Sequence, residues 1–236
     1  MKEMKYNKIM FAGPSGFGKT TLAKWLYEQS GIPFESGSIS DLIPQTKDIS
    51  HKDMLSRDTK DLYKEDYQLL DLRNKLFSNK DQFISDRSYM DSAAYFLYKQ
   101  GDKQPSCEIE HFISLCSMLL TQQCDCLIFL NFIPELVSEW ITEDNNKRIT
   151  NNYFQVEISS IMKTVLTIMG YKHSHSIPYI TNNVYKGLLG KLLPKKVILE
   201  YGAEVGYIHN IYGKTKVILI NEPNLNVRKD LLREYL

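Results

Sequence analysis

The sequence has few of the features that would place the chain in a membrane or along a nucleic acid. None of its apolar runs approaches the roughly 20 residues of a membrane span, and the N-terminus has no secretory signal pattern. The formal net charge is only +1 and no basic stripe stands out, which disfavours tight binding to duplex DNA. We therefore expect a cytoplasmic protein without a membrane partner, and the composition speaks against nucleic acid as a partner.

Cysteine is scarce too, and its spacing does not build a metal site. The four cysteines are Cys107, Cys116, Cys124 and Cys126. The close pair at 124 and 126 has no second pair or suitably spaced histidines, and His173 and His175 form an isolated His-x-His. We predict reduced thiols, as in a cytosolic protein, rather than a zinc site.

What is present is a complete phosphate-binding loop (P-loop) near the N-terminus. Residues 13–20 read Gly-Pro-Ser-Gly-Phe-Gly-Lys-Thr, which satisfies the pattern G-x-x-x-x-G-K-[ST]. The glycines let successive N–H groups turn toward a phosphate, Lys19 would reach the β- and γ-phosphates, and the Thr20 hydroxyl would hold Mg²⁺. We therefore expect ATP and Mg²⁺ as ligands. The predicted ATP-binding residues are Gly13, Pro14, Ser15, Gly16, Phe17, Gly18, Lys19, Thr20 and Thr21.

The segments on either side of the loop support this interpretation. Residues 8–12 read as a buried strand that enters the loop, and residues 21–27 read as a helix whose N-terminal dipole would add to the anion site. The sequence lacks the Asn-Lys-x-Asp segment that reads guanine and the Leu-Ser-Gly-Gly-Gln segment of transporter ATPases. A Ras-like GTPase and a transporter ATPase are therefore disfavoured.

Short apolar strands alternate with amphipathic helices along most of the chain. This alternation predicts an α/β, three-layer P-loop NTPase fold with a mostly parallel sheet and helices on both faces. Ligands gather at the carboxyl ends of such strands, so residues that follow a strand are candidates for the site. Beyond the first strand and helix, we predict strands at 31–34, 82–85, 126–130 and 176–180, and helices near 62–77, 89–100, 107–121 and 151–169, with another that starts at Pro134.

A second group of functional residues follows the predicted strand at 82–85. It reads Asp86-Arg87-Ser88-Tyr89-Met90-Asp91-Ser92-Ala93-Ala94-Tyr95-Phe96. The segment resembles the Asp-Arg-Tyr motif of thymidylate kinases, with its following Asp-Ser…Ala-Tyr stretch, and the Glu/Asp-Arg-Ser motif of deoxynucleoside kinases. A carboxylate at a strand end suits the orientation of an acceptor oxygen or Mg²⁺, and an always-charged arginine neutralises phosphate oxygens during transfer. Asp86 is thus a predicted catalytic residue and metal ligand, and Arg87 a predicted catalytic and substrate-binding residue.

Two further segments resemble parts of the same kinases. Residues 67–73 look like their acceptor-site helix, which implies that Gln68 pairs with a base edge and that Arg73 grips the 5′-phosphate of the acceptor. Residues 143–150 are similar to their lid, and this resemblance implies that Arg148 closes on the transferred phosphoryl group. The predicted catalytic set is therefore Lys19, Asp86, Arg87 and Arg148.

Together the resemblances cover about residues 5–180, and the chain is similar to phage and bacterial P-loop nucleoside and nucleotide kinases. The implied reaction is transfer of the γ-phosphoryl group of ATP to a deoxynucleoside 5′-monophosphate, and the implied assembly is a homodimer. The chain departs from thymidylate kinases at Pro14-Ser15, where they carry an acidic residue, and at Ser88, where they carry Tyr or Phe. These departures bear on the base preference rather than on the kinase chemistry.

The end of the chain differs in character from the rest. Residues 197–201, 204–212 and 217–220 read as strands, and a helix of mixed charge follows to Leu236. We therefore predict a P-loop kinase domain at residues 1–182, with its lid at about 143–150. A small β-rich C-terminal extension is predicted at residues 183–236.

The residues leave three alternatives open. In a deoxynucleoside kinase, Asp86 would be the general base for a sugar hydroxyl, and Ser88 is typical of that branch. An ATP-dependent switch or binding module would use the C-terminal β segment as its partner surface. A kinase that acts on nucleic acid would need a local basic patch, for which Lys191, Lys195 and Lys196 are the candidates.

Overall fold

The chain alternates strands and helices, as its hydrophobic pattern predicts. The computed structural model describes residues 4–46, 58–132, 152–178, 202–222 and 224–236. Within these residues the strands are β1 (Lys8–Ala12), β2 (Phe34–Glu35), β3 (Phe83–Ser85), β4 (Cys126–Leu130), β5 (Tyr171–Pro178), β6 (Gly202–Asn210) and β7 (Gly213–Asn221). The helices are α1 (Lys19–Ser30), α2 (Ile39–Leu42), α3 (Thr59–Phe77), α4 (Tyr89–Gln100), α5 (Ser106–Gln123), α6 (Asn152–Ile168) and α7 (Leu225–Tyr235), with a 3₁₀ turn at Pro44–Thr46.

The described strands form one seven-stranded sheet in the order β2-β3-β1-β4-β7-β6-β5. Five neighbouring strands of this sheet run parallel to one another, namely β2, β3, β1, β4 and β7. β6 pairs antiparallel with β7, and β5 pairs antiparallel with β6. The predicted mostly parallel α/β sheet, with β-rich structure at its C-terminal side, is therefore confirmed.

Helices cover both faces of this sheet. Alternate residues of a strand point to opposite faces, so Ile9 and Phe11 of β1 pack with α1 and α7, while Met10 and Ala12 pack on the other side. That second face is covered by α3, α4, α5 and α6. The result is the three-layer arrangement that the sequence predicts. Among the described helices, none is long and apolar enough to cross a membrane.

The last parallel strand is β7, whereas the strand predicted at 176–180 is a strand in its described part but does not lie in the core. The described part of that segment belongs to β5, which begins at Tyr171 and lies at the antiparallel edge of the sheet. Residues 172–176 are exposed, as expected for a polar edge strand that ends in Pro178. In β7, by contrast, Val217–Ile220 is a continuous buried apolar run, which is typical of a strand covered on both faces.

The predicted C-terminal extension contributes to the main sheet rather than forming a separate layer. β7 pairs with β4 over five residues, from Lys216 opposite Cys126 to Ile220 opposite Leu130. The helix that follows, α7, packs on the same face as α1. The boundary predicted at 182 and 183, the strand predicted at 197–201, the helix at Pro134 and the lid at 143–150 lie outside the described residues.

Candidate functional site

The P-loop joins the end of β1 to the start of α1, and its backbone takes conformations that favour glycine. Gly13 has a φ of 141°, and a Cβ at this position would lie 2.4 Å from the carbonyl oxygen of Leu130 in β4. Gly16 and Gly18 are left-handed, with φ of 86° and 83°. The motif therefore has glycine where the loop must turn and where a neighbouring strand approaches closely.

Lys19 is the first residue of α1, and its ammonium group lies at the loop itself. The Nζ donates hydrogen bonds to the carbonyl oxygens of Gly13, at 2.6 Å, and of Pro14, at 2.8 Å. The side chain is only 4% exposed. The ammonium group predicted to bind phosphate is thus buried and hydrogen-bonded to the start of the loop, where a triphosphate would bind.

The structure brings Thr20 and Asp86 together. Because β3 is the immediate parallel neighbour of β1, the residue after β3 lies beside the P-loop. The Thr20 hydroxyl donates to Asp86 Oδ2 at 2.6 Å. Asp86 is 3% exposed, and among the described residues its Oδ1 has no hydrogen-bond partner.

This pair fits a divalent cation. A buried carboxylate oxygen without a partner is costly, and such an atom therefore indicates that something else binds it. Carboxylate and hydroxyl oxygens are the ligands that Mg²⁺ uses in proteins, usually together with substrate phosphates and water. Thr20 and Asp86 are the residues that would hold Mg²⁺ at this site.

The residues after Asp86 begin α4 through a capping box. The Ser88 side chain accepts a hydrogen bond from the backbone N–H of Asp91, and the Asp91 carboxylate accepts from the Ser88 N–H at 2.9 Å. Arg87 is half-buried, and its Nη1 donates to the Asp86 carbonyl oxygen at 3.0 Å. The cap fixes the direction in which the chain leaves β3, and so positions Asp86 and Arg87 at the carboxyl ends of the parallel strands.

Arg73 lies near Arg87, but it is not available in the way that the acceptor-phosphate prediction requires. It is 3% exposed, and its Nε and Nη2 both donate to the Gly37 carbonyl oxygen, at 3.0 and 2.9 Å. Its Nη1 donates to the Ser88 carbonyl oxygen at 3.3 Å and to the Ser92 hydroxyl. Burial lowers the pKa of Arg73, and the nearby charge of Asp91 partly offsets this effect.

The structure therefore corrects the role of Arg73. Its guanidinium connects α3 to the loop after β2 and to the first turn of α4, so it positions the elements around Arg87 instead of presenting free donors to a ligand. Gly37 is held close to Arg87, since a Cβ on this glycine would lie 2.9 Å from Arg87 Cβ. Arg73 is a positioning residue.

We expect Arg73→Lys to destabilise the fold, because lysine cannot supply the forked donors that Gly37, Ser88 and Ser92 use. Each buried acceptor left without a donor costs about 1–3 kcal/mol in unfolding free energy. The check is urea unfolding, with Lys75→Ala on the same helix as the control. Lys75 pairs with Asp71 at an exposed position, so its loss should cost under about 1 kcal/mol. Equal stability of Arg73→Lys and wild type would contradict the positioning role.

The remaining predicted site residues are separate from this cluster or outside the described chain. Gln68 is exposed on α3. None of the described hydrogen bonds connects Gln68 to the P-loop, so its role as a base ligand stays a prediction. Arg148 lies outside the described residues, and its role also stays a prediction.

Sequence reasoning missed polar residues at the ends of the next two strands. Asn131 follows β4, and its Nδ2 donates to Asn221 Oδ1 at the end of β7, at 2.6 Å. Ser159 of α6 donates to Asn131 Oδ1 at 3.2 Å. Asn131 directly follows the buried run of β4, so the rule that ligands gather at carboxyl ends of strands could have identified it. Asn221 could not have been identified in this way, because the hydrophobic pattern does not reveal that β7 lies beside β4.

Comparison with known proteins places the chain in a family. A family profile described as AAA domain matches residues 8–178. The chain belongs to the AAA domain family. The AAA domain match includes the P-loop and Asp86, whereas β6, β7 and α7 follow it. The P-loop fold of this AAA domain indicates nucleotide binding. The finer resemblance to thymidylate and deoxynucleoside kinases stays a prediction.

Comparisons with individual proteins add little to this AAA domain assignment. None of the curated proteins matches the chain. Among solved structures, a crystal structure of the YorR protein from Bacillus subtilis in complex with phosphorylated GDP is similar. The similarity covers 69% of this chain and 80% of that chain, at 18% identity and a TM-score of 0.42.

Proposed function

We propose that the protein is a nucleotide kinase that transfers the γ-phosphoryl group of ATP to a deoxynucleoside 5′-monophosphate. The observation that supports this most directly is the Thr20–Asp86 hydrogen bond of 2.6 Å, together with the buried, unpartnered second oxygen of Asp86. It joins the donor loop to the strand end that carries Asp-Arg-Ser. A carboxylate and an arginine beside a P-loop are the groups that phosphoryl transfer requires.

On the donor side, the loop backbone and Lys19 bind the triphosphate. To reach the β- and γ-phosphates, the ammonium of Lys19 exchanges its hydrogen bonds to the carbonyl oxygens of Gly13 and Pro14 for phosphate oxygens. Mg²⁺, when bound, neutralises charge on the β- and γ-phosphate oxygens. The reaction needs little covalent help from the protein, so positioning and charge stabilisation supply most of the rate.

On the acceptor side, Asp86 orients the acceptor oxygen or the metal, and Arg87 binds the acceptor phosphate. Arg87 is half-buried and uses Nη1 on its own strand end, so its other donors are the candidates for phosphate oxygens. The buried Arg73 holds Gly37 against Arg87 and acts indirectly. Arg148 is proposed to stabilise charge in the transition state.

A specific observation favours a second candidate, a deoxynucleoside kinase. The burial of Arg73 removes one of the two arginines that a monophosphate grip would use. If the acceptor is a sugar hydroxyl, Asp86 serves as its general base, and the unpartnered Oδ1 is the atom that takes the proton. Ser88, the N-cap of α4, is also typical of that branch.

The deciding experiment offers the purified protein a panel of nucleosides and deoxynucleoside monophosphates with ATP and Mg²⁺, and identifies products by mass. We expect a nucleoside diphosphate from one or more monophosphates. Nucleoside monophosphates as products would select the second candidate. Slow release of inorganic phosphate from ATP, with no phosphorylated acceptor, would contradict both and favour an ATP-dependent switch. The Lys19→Ala protein, prepared in parallel, excludes contaminating kinases.

A further inference from the structure

The C-terminal helix α7 lies against the P-loop side of the molecule. Its Leu231 and Leu232 are buried in the same cluster as β1 and α1. Trp25 of α1 lies beneath two cations of α7, with its ring centre 5.7 Å from Lys229 Nζ and 5.2 Å from Arg233 Cζ. Two kinds of contact therefore attach α7 to the helix that carries Lys19 and Thr20.

One residue of α7 reaches the P-loop itself. Arg228 is 1% exposed, and its Nη1 donates to the carbonyl oxygen of Phe17 at 2.8 Å, across 211 residues of sequence. Its Nε donates to the carbonyl oxygen of Glu222 in the turn after β7. Arg228 therefore connects the loop to the end of the last parallel strand. Its Nη2 is buried and has no partner among the described residues.

The bond to Phe17 constrains the direction of the next N–H group. A trans peptide is planar, so its C=O and N–H point in opposite directions. With the Phe17 carbonyl directed to Arg228, the Gly18 N–H points away from Arg228. The Phe17 ring, itself buried, lies 5.5 Å from the ring of Phe132, so the side chain of this residue is held as well.

Charge adds to this orientation. Burial lowers the pKa of Arg228 to about 10, an effect that nearby Glu222 partly opposes, so the guanidinium remains charged at neutral pH. A hydrogen bond from a charged donor polarises the Phe17–Gly18 peptide and increases the positive character of the Gly18 N–H. Gly18 is also the N-cap residue of α1, where the helix dipole favours anions.

We propose that Arg228 is a positioning residue for triphosphate binding, which holds the Phe17 carbonyl so that the Gly18 N–H faces the bound phosphates. The C-terminal segment, beyond the AAA domain match, is then part of the donor site. This inference rests on nucleotide binding at the loop and not on the identity of the acceptor. It therefore fails or succeeds independently of the kinase proposal.

The test is calorimetric titration of the full chain with Mg-ATP and with Mg-pyrophosphate. We expect Arg228→Met to weaken binding of both by about 10- to 100-fold, because a buried charge-assisted hydrogen bond to the loop is lost. Arg228→Lys, which keeps the charge and one donor, should lose less. The matched control is Lys163→Met, which removes an exposed positive charge on α6 and should bind both ligands as the wild type does.

Two further readouts separate positioning from a purely structural role. The amide resonance of Gly18 should shift in Arg228→Lys, and this variant decides the matter if Arg228→Met does not fold. A lower melting temperature with unchanged affinity for both ligands would overturn the proposal. Loss of affinity for ATP with unchanged affinity for pyrophosphate would overturn it too, since the effect would then lie at the nucleoside and not at the phosphates.

Discussion

Lys19→Ala is expected to lower phosphoryl transfer by about 10²- to 10³-fold or more, while the protein stays folded. The reason is electrostatic. The transferred group and the bridging oxygens carry negative charge, and the ammonium of Lys19 is the cation that the P-loop places beside them. Its buried position increases this effect, because the surrounding dielectric is lower than that of water.

The fold should tolerate this change because the two hydrogen bonds of the Lys19 Nζ described above both end on the P-loop itself. Its Nζ donates to Gly13 and Pro14, and neither bond joins separate elements of the core. The measurement is single-turnover transfer with the preferred acceptor, alongside a thermal melt. Lys163→Ala, an exposed lysine on α6, is the charge-matched control and should behave as wild type. Retention of full activity by Lys19→Ala would refute the assignment of the donor site.

The parallel core was predictable wherever a strand is a continuous apolar run. Residues 8–12 and 126–130 were predicted with the bounds that the structure has, because burial on both faces requires apolar residues throughout. The run at 217–220 carries the same signal, and it was correctly predicted as a strand. The position of this strand beside β4 was not predicted, because the order of strands in a sheet depends on long-range pairing that a local sequence pattern does not encode.

Arg73 shows how a helical pattern can be more informative than a resemblance. Leu70, Arg73 and Phe77 are spaced three and four residues apart, so they share one face of α3. Leu70 and Phe77 are buried, and Arg73 is buried with them. The same periodicity places Gln68 on the exposed side. The spacing alone could therefore have identified a buried arginine in place of the predicted phosphate ligand, although its partners Gly37 and Ser88 required the tertiary structure.

The contact of Arg228 with the P-loop could not have been predicted from the sequence. An arginine at the fourth position of a helix of mixed charge is ordinarily a solvated surface residue. It is buried here because α7 packs on α1, and because β7 brings the preceding turn to the edge of the sheet where the loop lies. The motif that binds the triphosphate is a continuous stretch of sequence and can be recognised there. The residues that hold this motif in place come from distant parts of the chain.

Asp86→Asn is the second change for which we expect a large effect, a loss of about 10²- to 10⁴-fold in turnover. The amide keeps the shape of the carboxylate, and its oxygen can still accept the Thr20 hydrogen bond, so the P-loop and β3 should stay together. What is lost is the negative charge on the buried, unpartnered oxygen. The measurement is turnover as a function of Mg²⁺ concentration, with the melting temperature as the check on folding.

The Mg²⁺ dependence distinguishes the two roles open to Asp86. If the carboxylate holds the metal, the variant should need more Mg²⁺, and high concentrations should restore part of the activity. If it is the general base for a sugar hydroxyl, saturating Mg²⁺ should restore none, because the missing group is a proton acceptor. Asp230→Asn, at an exposed position on α7, is the control and should leave both turnover and Mg²⁺ dependence unchanged. If Asp86→Asn behaved like this control, the Thr20–Asp86 bond would be only a structural contact between α1 and the end of β3, and neither role would stand.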